Sequence, residues 1–70
     1  MMDVNWKQYR TDEGAIVHEM TNDLYQVVGM VRKDGKEYLG NVKGRSSFKR
    51  KTIKSAKADV EYIYNNLGVA

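Results

Sequence analysis

The sequence predicts an α+β fold, a three- to four-stranded antiparallel β-meander with one C-terminal α-helix packed on one face. Three observations carry this. Ile53, Ala56, Val60, Ile63 and Leu67 recur at spacings of three and four, the stripe of an amphipathic helix. Two runs rich in β-branched and aromatic residues, 24–32 and 36–43, flank Asp34-Gly35, a pair suited to a tight hairpin turn. The chain is 70 residues long and has no cysteine. It forms one domain over residues 1–70, with room for a single sheet and one or two helices around a core held by apolar packing alone.

The helix is the clearest element. Its stripe sets the span at 53–67, with Tyr64 at the edge and Tyr62 pointing away, either a plain exposed aromatic or part of a contact surface. Thr52 is a natural N-cap. Gly68 is suited to the left-handed C′ position, with Val69 folding back on Ile63 or Tyr64.

In the hairpin, a type I′ turn at Asp34-Gly35 sets Val31 opposite Tyr38, Met30 opposite Leu39 and Gly29 opposite Gly40. One face then carries Tyr25, Val27, Gly29, Val31, Tyr38, Gly40 and Val42, the expected core, its glycines admitting the helix closely. The other carries Gln26, Val28, Met30, Arg32, Glu37, Leu39, Asn41 and Lys43. This second face is either a working surface or a thinner core beneath the N-terminal segment. Residues 5–10 and 15–20 read as two further strands joined by Asp12-Glu13-Gly14, adding Trp6, Tyr9, Ile16 and Val17 to the core. A short helix over 13–20 is the alternative, disfavoured by Gly14 and the Ile16-Val17 pair.

Several function classes are disfavoured at the outset. No apolar stretch approaches the roughly 20 residues that span a bilayer, and the amino end lacks a secretion signal's apolar core, so a soluble, cytoplasmic protein is expected. His18 is the single histidine and there is no cysteine, so neither a metal site nor a His-based nucleophile pair of the usual kinds is available. The carboxylates are scattered, and no phosphate-loop or dinucleotide pattern is present. The expectation is a non-enzyme without cofactor or metal.

Charge is unevenly distributed. Residues 1–30 carry two cations and five carboxylates, residues 31–57 ten and two, and residues 58–70 none and two. The basic block runs Arg32, Lys33, Lys36, Lys43, Arg45, Lys49, Arg50, Lys51, Lys54, Lys57. It mixes cations with glycine, serine and Phe48, a composition that can cradle and stack on a nucleic acid strand. Lys49, Arg50 and Lys51 directly precede a helix start, where the macrodipole disfavours cations by about 0.3–1 kcal/mol each. Helix stability alone does not account for them.

Tyr25 to Val31, Gly35-Lys36-Glu37-Tyr38, then Phe48, Thr52 and Ala56 resemble the AP2 or integrase arm-binding type of domain. The resemblance implies a three-stranded sheet laid in the DNA major groove and backed by a helix. Gly35-Lys36, Gly44-Arg45-Ser46 and Lys54-Ser55-Ala56-Lys57 resemble the C-terminal half of a double-stranded RNA-binding domain, implying lysines that straddle duplex phosphates. Both resemblances imply nucleic acid as the ligand class.

The leading expectation is therefore a nucleic-acid-binding module, duplex DNA first and RNA second. Arg32, Lys43, Arg45, Lys49, Arg50, Lys51, Lys54 and Lys57 would hold phosphates, and Gln26 and Asn41 would read base edges. The alternative is a small inhibitor or adaptor of the kind found among phage and other mobile-element accessory proteins. It would bind an acidic protein through Val28, Met30 and Leu39, with Tyr62 as a further contact. Homodimerisation through the apolar face or an open sheet edge is compatible with either.

Overall fold

The structure is a computed structural model that describes residues 4–67. The chain runs β1 (Asn5–Arg10), β2 (Ile16–Thr21), β3 (Val27–Asp34), β4 (Glu37–Val42), β5 (Phe48–Arg50) and α1 (Ile53–Leu67). The strands form one antiparallel sheet in the order β1-β2-β3-β4-β5. The α+β meander with its C-terminal helix is as expected, whereas the strand count is five rather than three to four. The additional strand is β5, which pairs Tyr38 with Arg50, Leu39 with Lys49 and Gly40 with Phe48. Its apolar signal is a single residue, Phe48, whose ring lies where a side chain at Gly40 would have to go. Three residues are too few to register as an alternating pattern.

Thr52 caps the helix. Its hydroxyl accepts from the Ser55 amide at 3.1 Å, and its carbonyl accepts from the Ala56 amide at 3.1 Å. Ala56 and Val60 are fully buried, with Ile53, Ile63 and Tyr64 packed beside them. Gly68 and Val69, the expected helix stop, lie outside the described residues.

The β3–β4 turn is shifted by one residue. Asp34 pairs with Glu37, which makes Gly35-Lys36 the two-residue loop, and Gly35 alone has a positive φ, +65°. This is the type II′ pattern, glycine at the first central position, in place of the expected type I′. Val31 consequently faces Gly40, and Gly29 faces Val42. Moving the turn by one residue moves each pairing by two, so the alternation of faces survives. Gly29 and Gly40 are diagonal neighbours, and Val60 of α1 seats over both: a Cβ would lie 2.7 Å from Val60 Cγ1 at Gly29 and 3.2 Å from Val60 Cγ2 at Gly40.

The helix lies over β3, β4 and β5, and the core gathers Met20, Val28, Val31, Val42, Ala56 and Val60 beneath it. Trp6 ties β1 in from the side. Its indole Nε1 donates to Glu61 Oε2 at 2.6 Å, and Lys57 Nζ lies 5.1 Å from the ring centroid.

Four expected core residues are exposed. Tyr9 and Ile16 lie at the β1 side, away from the helix. Tyr25 is 86% exposed and Val27 is 41% exposed. Their displacement has a local cause. The β2–β3 register slips between Met20, opposite Gly29, and Thr21, opposite Val27, leaving Val28 as an extra residue. The strict alternation read back from Gly29 therefore ends at this bulge. Val28 is buried with the core, not presented on the open face.

Candidate nucleic-acid interface

A meander sends successive connections to alternate ends of the sheet. The β1–β2 turn, the β3–β4 turn and the β5–α1 junction share one end, here the hairpin end. The β2–β3 turn and the β4–β5 loop share the other. Seven of the ten cations in the basic block fall at or beside the hairpin end, namely Arg32, Lys33, Lys36, Lys49, Arg50, Lys51 and Lys54. Lys43 and Arg45 fall at the opposite end, in the β4–β5 loop.

Within the hairpin-end group, two cations are already engaged. Lys49 Nζ is 3.3 Å from Asp34 Oδ2. Arg50 pairs through Nε with Asp59 of α1, donates from a terminal nitrogen to the Lys49 carbonyl at 2.7 Å, and stacks over the Phe48 ring at 4.7 Å. Its guanidinium thus ties β5 to the helix. Arg32, Lys33, Lys36, Lys51 and Lys54 are exposed and make no ion pair among the described residues. Lys33 and Lys36 were outside the expected phosphate-binding set; strand parity applied to the hairpin is the signal that would have included them. Lys57 is turned onto the Trp6 ring. The first helical turn carries no carboxylate, so the macrodipole adds positive potential to the same end.

The expected base readers are occupied. Asn41 Nδ2 donates to the Arg45 carbonyl at 3.2 Å and to Ser47 Oγ at 3.1 Å, bracing the β4–β5 loop. Gln26 belongs to the β2–β3 turn, and its Oε1 accepts from Asn22 Nδ2 at 3.0 Å.

Among the described residues no helix covers the sheet face opposite α1. By register, one row across it runs Tyr9, Val17, Arg32, Leu39, Lys49 and the next Lys7, Glu19, Met30, Asn41. Met30 and Leu39 are half-buried there, whereas Tyr62 is 69% exposed on α1, so the structure separates Tyr62 from the other expected partner contacts. Formal charges on this face balance, Lys7, Arg32 and Lys49 against Glu19, Asp34 and Glu37, although of these cations Lys49 alone makes an ion pair among the described residues and Arg32 stands at the hairpin-end margin. The face is close to neutral; at the hairpin end the cations outnumber the carboxylates Asp12, Glu13, Asp34 and Glu37, and among the described residues Lys43 and Arg45 stand unpaired at the opposite end.

Among the described residues, two groups titrate away from their ordinary ranges. The Tyr9 hydroxyl donates to Glu19 Oε2 at 3.1 Å, which raises the phenol's pKa. His18 lies on the helix-side face of the sheet in register with Val31; desolvation first and the Lys57 charge second lower its pKa. Among the described residues no three His, Cys, Asp or Glu side chains cluster as a metal site would require, and no helix is long and apolar enough to cross a membrane.

These features define a small antiparallel sheet backed by a single helix, with five unpaired cations of the basic block at one end and two at the other among the described residues. Comparison with protein-family models, with curated proteins and with solved structures finds no match.

Proposed function

We propose that this protein is a non-catalytic nucleic-acid-binding module, duplex DNA first and RNA second, that meets phosphates with its hairpin end. The observation that carries the reading is the set of cations unpaired among the described residues, Arg32, Lys33, Lys36, Lys51 and Lys54, in or beside two connections that share one end of the sheet. Geometry favours this end over the flat face. With strands about 4.8 Å apart, five strands span about 19 Å between their outer axes, against a major groove about 12 Å wide. Only β3 to β5, about 10 Å across on the same spacing, are narrow enough to approach it. Those strands with α1 above them are also the three-strand-plus-helix unit that the AP2 or integrase arm-binding resemblance implies.

Five phosphate contacts give a slope of log affinity against log salt of roughly −4.5, a loss of about 10²–10³-fold between about 50 and 200 mM salt. Fluorescence anisotropy with labelled duplex DNA, duplex RNA and single strands measures this directly. Charge-neutral variants of Lys33, Lys36, Lys51 and Lys54 should each reduce the slope by about one. A slope near zero, or full binding by the fourfold variant, refutes the reading.

The balanced charge of the open face favours a second reading, an adaptor that docks a protein through Met30 and Leu39. Leu39→Ser would then abolish partner binding while leaving duplex binding intact.

A further inference from the structure

The β2–β3 turn, at the end of the sheet away from the hairpin, holds a feature that neither strand pairing nor the core requires. Leu24 is 71% and Tyr25 86% exposed, and Tyr25 is the one non-glycine among the described residues with a positive φ, +62°. A bulky side chain in the left-handed region is strained, and glycine or asparagine would occupy it more easily. The turn is nonetheless built firmly. Asn22 Oδ1 accepts from the Leu24 and Gln26 amides at 3.0 Å each, and the Tyr25 amide donates to the Asn22 carbonyl at 3.0 Å. The backbone is held so that two large apolar side chains face outward.

Beside this turn lies a half-open recess of about 180 Å³, lined by Val27, Val28 and Met30, with Asn41 and Lys43 among its walls. Small-molecule and cofactor sites occupy roughly 300–1,000 Å³, so this recess suits a single apolar side chain rather than a nucleotide. Its charge has one predominant sign. Lys43 lines it, Arg45 follows in the same loop, and neither makes an ion pair among the described residues, whereas Asp23 is the turn's one carboxylate.

We infer that the Leu24-Tyr25 turn and the adjoining recess form a docking site for an acidic segment of a partner protein, with an apolar anchor in the recess and carboxylates against Lys43 and Arg45. Aromatic side chains beside a well-packed apolar pocket, rimmed by cations, are the usual centre of such contacts. The recess itself is lined by aliphatic side chains and offers no aromatic plane to a base, which favours a peptide over a single strand, and stacking of a base on Tyr25 alone is left to the test. The inference rests on the adaptor reading only for its class of partner and moves the contact to the turn, sharing Met30 with that reading but not Leu39. It is independent of duplex binding at the hairpin end.

The test is a selection of random linear peptides, displayed against the whole chain, followed by polarisation measurements on the strongest binder. Selected sequences should combine an aromatic or branched aliphatic residue with Asp or Glu. Tyr25→Gly and Lys43→Glu should each weaken binding at least tenfold, while Tyr25→Gly leaves the unfolding midpoint unchanged or raised. Paired Lys51→Gln and Lys54→Gln should leave peptide affinity unchanged. Basic or wholly polar consensus sequences would overturn the inference, as would undiminished affinity in Tyr25→Gly. Loss with Leu39→Ser but not with Tyr25→Gly would assign the contact to the open sheet face instead. Binding of single-stranded oligothymidylate that depends on Tyr25 would reassign the turn to base stacking and equally overturn it.

Discussion

Gly29→Ala tests the packing on which the fold depends. The added Cβ would lie 2.7 Å from Val60 Cγ1, 3.2 Å from the Asn41 carbonyl and 3.2 Å from Met20 Cε. Carbon atoms pack comfortably at about 3.5–4.0 Å, so the Val60 contact is short by about 1 Å. Val60 has no exposed surface, and a valine on a helix has essentially one favourable rotamer, so the methyl cannot swing aside. Relief requires the helix to lift, loosening the contacts of Ala56 and Val60 with the sheet. Overpacking of this kind costs about 1–3 kcal/mol, offset by about 0.4–1 kcal/mol because alanine restricts the unfolded chain. The net loss is about 1–2 kcal/mol. With about 2.1 cal/mol/K of unfolding entropy per residue, that is a fall in Tm of about 7–14 °C. Urea unfolding read by the fluorescence of Trp6, the sole tryptophan, together with far-UV circular dichroism measures it. Adding Val60→Ala removes the clashing methyls, so the double variant should be more stable than the sum of the single effects by about 1 kcal/mol. A neutral or stabilising Gly29→Ala, or strict additivity, would refute the close approach of helix and sheet.

Thr52→Ala removes the hydroxyl that accepts from the Ser55 amide and should destabilise by about 1 kcal/mol, with Thr52→Ser retaining most of the stability. Tyr25→Gly relieves the left-handed strain at the cost of backbone freedom, a net gain of about 0.5–1 kcal/mol in denaturant unfolding. His18 is easier to deprotonate folded than unfolded, so below about pH 6.5 the unfolded chain binds the extra proton. Stability should therefore fall as pH drops from about 6.5 through the lower folded-state pKa, and His18→Gln should flatten that part of the profile.

The helix was legible because its evidence is local. Ile53 to Ile63 repeat at one period beside a residue able to cap, and the same residues turn inward in the fold. The faces of the β3–β4 hairpin were legible for the same reason, since period-two alternation survived an error of one residue in the turn. β5 was not legible, because three residues depend on a partner that is already in place, Gly40 beneath the Phe48 ring. The fates of Val27 and Val28 were likewise hidden, because a bulge arises from the mismatch of two paired strands and leaves no mark in either alone.

The candidate site divides along the same line. Composition alone concentrates positive charge in residues 31–57, since counting charges needs no geometry. Which cations remain available is a tertiary matter: Asp34 engages Lys49, Asp59 engages Arg50, and Trp6 draws Lys57 aside. Chain order, read locally, tells which residues can form a helix or a strand. Only long-range pairing determines which end of the sheet each turn occupies, and therefore which charges stand together, because electrostatic fields follow distance in space and not separation along the chain.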